Sequence, residues 1–282
     1  MRGVALGGGH GTAIALQALN LLCDDVTGIV SIADDGGSSG VLRRIFEIPA
    51  VGDLRRCMSA TGDASIALTT MFEERIGRDQ HPLGNLILAM AVLEDGDFER
   101  AVARVAALVG SSVRLLPATS APVDLAALTT HGYVRGQVDV HRCTDIMKVS
   151  LFPSTPPVPK AVFEALDRAD LIIAGPGSLF TSVLATLVVP GIAEAISTSS
   201  GRFVLLANLR PEIPESANLG LPEQLEVLQQ HGIIPDVVLC DERSNWQSVS
   251  SARRMVAPLA NLSGLMHDPV QIARSLVEVM AN

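Results

Sequence analysis

The chain has 282 residues, 48% hydrophobic and 18% charged, with a formal net charge of -9; that suits one large α/β domain with an ample buried core. The acidic balance and an aromatic content of only 3% argue against partners that rely on basic charge or base stacking, namely nucleic acid and anionic membrane surfaces. The four cysteines, Cys23, Cys57, Cys143 and Cys240, form no C-x-x-C pair, which excludes a disulfide scaffold or zinc ribbon and points to reduced thiols in a cytoplasmic protein.

In chain order, residues 4–6 read as a first strand. The glycine loop Gly7-Gly8-Gly9-His10-Gly11-Thr12 follows, then a helix over 12–22 and a second strand over 26–33. The loop Asp34-Asp35-Gly36-Gly37-Ser38-Ser39-Gly40 comes next. Residues 53–109 read as a mostly helical insertion, clearest at 83–93 and 98–108, with Gly52-Asp53 and Gly96-Asp97 as turn plus N-cap. Short alternating segments over 113–140 predict a small antiparallel lobe. A strand at 149–152 leads into a proline-rich connector at 153–159. The remainder alternates: helix 161–168, strand 171–174, the loop Gly175-Pro176-Gly177-Ser178, another helix, strand 203–207 ending at Asn208, helix 222–230, strand 237–240, and a last helix capped by Asp268 with Pro269 at its first position. This βαβ alternation predicts an α/β fold: a Rossmann-like three-layer sandwich with a mostly parallel sheet, forming a single domain over 1–282. The N-terminus reaches glycines too early for a signal peptide, and the longest apolar run, 183–189, is stopped by Pro190-Gly191, so no membrane insertion is expected.

Three loops carry candidate chemistry. Gly8, Gly9, His10, Gly11 and Thr12 lie between a strand and a helix N-terminus, where unpaired amides and the helix dipole favour phosphate. Gly7 and Gly9 fit a dinucleotide fingerprint, but Thr12 stands where its third glycine or alanine belongs, and no P-loop lysine follows. At the end of the second strand, Asp34 and Asp35 can accept from ribose hydroxyls or hold a hydrated Mg²⁺, with Gly36, Gly37, Ser38 and Ser39 beside them. A solvated Asx turn would look the same. In the third loop, Gly175, Gly177, Ser178, Thr181 and Ser182 can hold phosphate oxygens, and Ser178 can equally serve as an N-cap. Asp53, Arg55, His81 and Asn85 complete the set from the helical region. No nucleophile elbow or metal-ligand spacing is present, and no general base is evident.

Taken together, Gly7-Gly8-Gly9-His10-Gly11, Ala33-Asp34-Asp35-Gly36-Gly37-Ser38-Ser39-Gly40, Gly52-Asp53-Leu54-Arg55, His81-Pro82-Leu83-Gly84-Asn85-Leu86 and Gly175-Pro176-Gly177-Ser178-Leu179-Phe180-Thr181-Ser182 resemble the gluconeogenesis factor family (YvcK-like), within the CofD-like superfamily. The resemblance runs from the first strand to about Asp241. It implies a cytoplasmic protein that binds a UDP-sugar or another nucleotide diphosphate and needs no cofactor to do so. It further implies a regulatory role linking gluconeogenic carbon metabolism to cell-wall precursor supply and cell shape, exercised as a homodimer or through a regulatory protein partner. The related 2-phospho-L-lactate transferases imply an alternative, Mg²⁺-dependent phospholactyl transfer to a deazaflavin. A second alternative, an NAD-binding oxidoreductase, rests on the incomplete fingerprint. Asn208, Leu209 and Glu215 match the family pattern, but the rest of the 210–224 segment departs from it.

Overall fold

The computed structural model describes residues 1–244 and 253–281. In chain order the elements are β1 (Arg2–Gly7), α1 (Gly9–Asn20), β2 (Asp25–Val30), α2 (Gly37–Phe46), α3 (Gly52–Thr61), α4 (Ala67–Met71), β3 (Arg75–Ile76), β4 (His81–Pro82), α5 (Leu83–Asp95), α6 (Phe98–Leu108), β5 (Arg114–Pro117), β6 (Asp124–Thr129), β7 (Gly132–Arg135), α7 (Gln137–His141), β8 (Ile146–Phe152), α8 (Lys160–Asp167) and β9 (Leu171–Ala174). A π-helical turn (Leu179–Leu184) then runs into α9 (Ala185–Leu187), followed by α10 (Ile192–Thr198), β10 (Arg202–Leu206), α11 (Leu221–Gln230), β11 (Val237–Asp241), β12 (Arg253–Ala257) and α12 (Pro269–Ala281).

Seven strands form the main sheet in the order β12-β11-β10-β9-β1-β2-β5, every pair parallel. Its inner strands are apolar along most of their length, as sheet buried on both faces requires: Val4, Leu6, Ile29, Ile172, Val204 and Leu239 are all buried. From β1 the chain winds outward through β2 to β5, then returns to the other side of β1 at β9 and winds outward again. The order therefore reverses between β1 and β9, the position where open parallel sheets form their crevice. Register makes that crevice compact, since Gly7 pairs with Val30 and Leu6 with Ala174, so β1, β2 and β9 end at nearly one level.

The small lobe differs from its expected extent. Arg114–Pro117 is buried on three successive residues and adds to the main sheet beside β2; a continuous apolar run suits a two-sided burial, not an excursion. The antiparallel sheet is instead β7-β6-β8. It takes in Ile146–Phe152, whose burial alternates over its C-terminal half as in a strand with one wet face. Residues 137–140, the end of the expected antiparallel lobe, instead belong to α7. Of the two predicted caps, Asp97 accepts from the Arg100 amide at 3.0 Å, whereas Asp53 lies inside α3 and caps nothing there. The last helix starts as expected, with Asp268 accepting from the Val270 and Gln271 amides. Among the described residues no single helix is long and apolar enough to cross a membrane.

Candidate functional site

The loops after β1, β2 and β9 meet at the crevice and, with α7 above them, enclose a cleft of about 440 Å³ lined by Gly9, Asp34, Asp53, Arg56, Gln137, Val138, His141, Arg142, Thr181 and Ser182. Gly8 precedes α1 with no side-chain cap of its own, and the Asp53 carboxylate accepts from the Gly9 amide that opens the helix. Close packing dictates the glycines. A Cβ on Gly8 would collide with the Asp53 carboxylate, and one on Gly11 with the Pro176 carbonyl. The β1 and β9 loops are thus in backbone contact, which no side chain at Gly11 would permit. Thr12 is fully buried, and its hydroxyl donates to the Gly8 carbonyl at 3.2 Å. It braces the loop and does not line the cleft, which also explains why the fingerprint position tolerates it.

Asp53 lies beneath this loop, 5% exposed, against the Gly9 amide and paired with Arg56 at 2.6 Å. Burial, reinforced by the neighbouring Asp34 carboxylate, pushes it up to about 6, although Arg56 and the Gly9 amide oppose the rise. His10 is pushed the other way, below its ordinary value, by burial and then by Arg56 and Arg55. Arg55 is itself buried, ion-paired with Glu73, and lowered to about 10 mainly by burial.

The two adjacent aspartates diverge. Asp34 accepts from the Gly36 amide at 2.9 Å, the Asx turn that its loop suggested, and lines the cleft beside Asp53. Asp35 turns away and accepts from the Val138 amide at 3.0 Å, fastening the N-terminus of α7 to the β2 loop. The carboxylates that share the cleft are therefore Asp34 and Asp53, not the sequence neighbours. Gly36 precedes α2 without a side-chain cap and Gly37 opens that helix. Ser39 packs under Gly52 at the start of α3. Ser38, His81 and Asn85 form one hydrogen-bonded group: Ser38 Oγ lies 2.7 Å from His81 Nδ1 and accepts from Asn85 Nδ2 at 3.0 Å.

In the third loop, Asn208 pairs its amide with both backbone groups of Gly177, at 2.8 Å each, and the Gly175 amide donates to Leu6. Ser178 makes no side-chain cap bond. That role falls to buried Glu215, which accepts from the Phe180 amide at 3.1 Å and from Thr181 Oγ1 at 2.8 Å. Ser182 lines the cleft. Asn208 and Glu215 thus hold the loop in place from the 208–215 segment. Sequence reasoning missed Gln137, His141 and Arg142 as lining residues. Their one sequence signal was a cluster of polar residues after Gly136, at and just beyond the end of the expected antiparallel lobe.

The fold and cleft together define a parallel α/β protein with a glycine-loop crevice at its topological switch point. The family model described as "2-phospho-L-lactate transferase CofD" matches residues 4–282, and the chain belongs to that family. Among its relatives are the gluconeogenesis factor of Halalkalibacterium halodurans, 34% identical over 85% of this chain and 77% of that one, and the gluconeogenesis factor of Bacillus subtilis, 35% identical over 84% and 77%. A crystal structure of a UPF0052-family protein from Bacillus halodurans superposes with a TM-score of 0.89 at 28% identity, covering 98% of both chains.

Proposed function

We propose that this chain is a gluconeogenesis-linked regulatory protein that binds a nucleotide sugar in the cleft between β1 and β9. One observation carries the reading: three glycine-bearing loops, each following a parallel strand, converge on one crevice, where α1 and α2 begin without a cap from their own N-cap residue. That arrangement binds a diphosphate through backbone amides and therefore suits an acidic chain. Arg56 and Arg142 add cationic groups at the same cleft. The names of the relatives support the metabolic link. Regulation would act through α7, which belongs to the small lobe yet covers the ligand, so that occupancy changes a surface a partner protein can read. Isothermal titration with UDP-N-acetylglucosamine tests the reading. Binding at micromolar to submillimolar ligand is expected, and silence at millimolar ligand refutes it.

The Asp34–Asp53 pair supports a second reading, a Mg²⁺-dependent transferase. No group of three or more His, Cys, Asp or Glu side chains clusters as a metal cage among the described residues. A Mg²⁺ ion that keeps its waters and takes ligand phosphates needs only one or two carboxylates, and Asp34 and Asp53 fit that demand; bound there, it would neutralise diphosphate charge. Mg²⁺-dependent turnover of a nucleotide-diphospho-lactate with a deazaflavin acceptor distinguishes this reading from pure binding.

A further inference from the structure

The pair formed by His141 and Glu215 has the arrangement of a general base and its orienting carboxylate. The Glu215 side chain is 0% exposed. Besides the Phe180 amide and the Thr181 hydroxyl, it lies 3.2 Å from His141 Nδ1. Because a carboxylate accepts, the tautomer that satisfies this contact carries its proton on Nδ1 and leaves the Nε2 lone pair as the free ring acceptor. His141 lines the diphosphate cleft, and its side chain is 41% exposed. Its helix is pinned from both sides, by Val138 N to Asp35 at 3.0 Å and by Gln137 Nε2 to the Thr181 carbonyl at 2.7 Å. A histidine that served only to fasten the lobe would not need to line the cleft, since Gln137 and Asp35 already fasten it.

We propose that His141, oriented by Glu215, is a general base that activates water to hydrolyse the phosphoanhydride of a nucleoside diphosphate ester, a reaction that rests on the diphosphate-binding reading of the cleft. The water O–H bond breaks and its proton passes to His141 Nε2. The water oxygen bonds to one phosphorus, and the bridging P–O bond breaks. Its electron pair leaves on the departing phosphate, giving a nucleoside monophosphate and a sugar phosphate, with no change of oxidation state. The imidazolium so formed rests against Glu215 and loses its proton to solvent through its exposed edge. The charged and titratable groups around it are Glu215 from the 208–215 segment, Asp139, Arg142 and Cys143 on or just after α7, Asp35 and Asp34 from the β2 loop, and Asp53 and Arg56 from α3.

The full chain is incubated with UDP-N-acetylglucosamine and magnesium chloride in ¹⁸O-labelled water, with products followed by ³¹P NMR and binding by titration calorimetry. Expected are slow release of UMP and sugar phosphate, ¹⁸O in one product phosphate, and a rate that falls as the medium is acidified. His141→Gln should lower the rate by about 100-fold or more with the Kd changed only a few-fold. Imidazole should partly rescue His141→Gly, and Glu215→Gln should alter the acid limb of the profile as well as the rate. Ligand binding without turnover above the protein-free rate overturns the proposal, as does turnover that His141→Gln leaves unchanged. Absence of binding overturns the cleft reading itself, and hydrolysis with it.

Discussion

Replacing Asp53 by Asn tests whether the cleft holds a destabilised carboxylate. Asp53 is buried under the Gly8–Gly11 loop, and burial with the Asp34 charge raises it from 3.8 to about 6. That gap corresponds to about 3 kcal/mol of differential interaction. The sign follows from linkage: the native state binds this proton more tightly than the unfolded chain does. Its contribution to stability is fully present below pH 3.8, fades as pH rises through about 6, and is absent at pH 8. Wild-type stability at pH 5 and pH 8 should therefore contain a pH-dependent part that Asp53→Asn lacks. The asparagine keeps the shape and forgoes only the Arg56 pair, whose partner is partly exposed. Urea denaturation of both proteins at both pH values gives the double difference, expected at about 1.4 kcal/mol because the unfolded carboxyl is already ionised at pH 5, or a thermal shift of roughly 3–5 °C. Identical pH dependence in the two proteins would refute the reasoning, and so would an Asp53→Asn protein less stable than wild type at pH 8.

Gly11→Ala drives a methyl into the Pro176 carbonyl and should cost about 1–3 kcal/mol in a urea melt, with loss of nucleotide binding by calorimetry. Asn208→Ala removes both amide bonds to Gly177; at about 1 kcal/mol per bond this should weaken UDP-N-acetylglucosamine by up to about thirtyfold, read as Kd. Asp35→Ala releases the Val138 amide, so hydrogen exchange over 137–141 should quicken while exchange in β1 and β9 stays unchanged.

The parts of the fold that were legible from the chain are those governed by local rules. Strands buried on both faces read as apolar runs, and Gly96-Asp97 and Asp268-Pro269 carry their own cap chemistry. β12 escaped notice because Arg253 and Arg254 open it and it is an edge strand with exposed residues. The three glycine loops were recognisable, but the jobs of their side chains were not. Asp34 and Asp35 are adjacent in sequence, yet one faces the cleft and the other α7. Ser178 was as good a cap as Glu215 until a residue 35 positions from Phe180 took its amide. The lining of the cleft by His141 depends on the small lobe folding back over the main sheet, which no periodicity encodes.

The polar side chains of the site are spent on backbone more than on the cleft. Asp35 holds α7, Glu215 holds the turn after β9, Asn208 holds Gly177, and Thr12 holds Gly8. Each fixes a loop whose glycines let backbone approach closely without a side chain in the way. On the proposed reading, this division of labour lets a chain of net charge -9 take an anion, with positive potential from the N-termini of α1 and α2 and from Arg56 and Arg142 at the cleft. It also explains why Asp53 is costly where it stands. A carboxylate against the Gly9 amide satisfies the loop in the absence of ligand, but an incoming diphosphate would find that amide taken and a like charge beside it. Ligand entry must then protonate Asp53, displace it toward Arg56, or bring a cation. Affinity for a diphosphate should accordingly rise as pH falls through about 6, and Asp53→Asn should flatten that dependence.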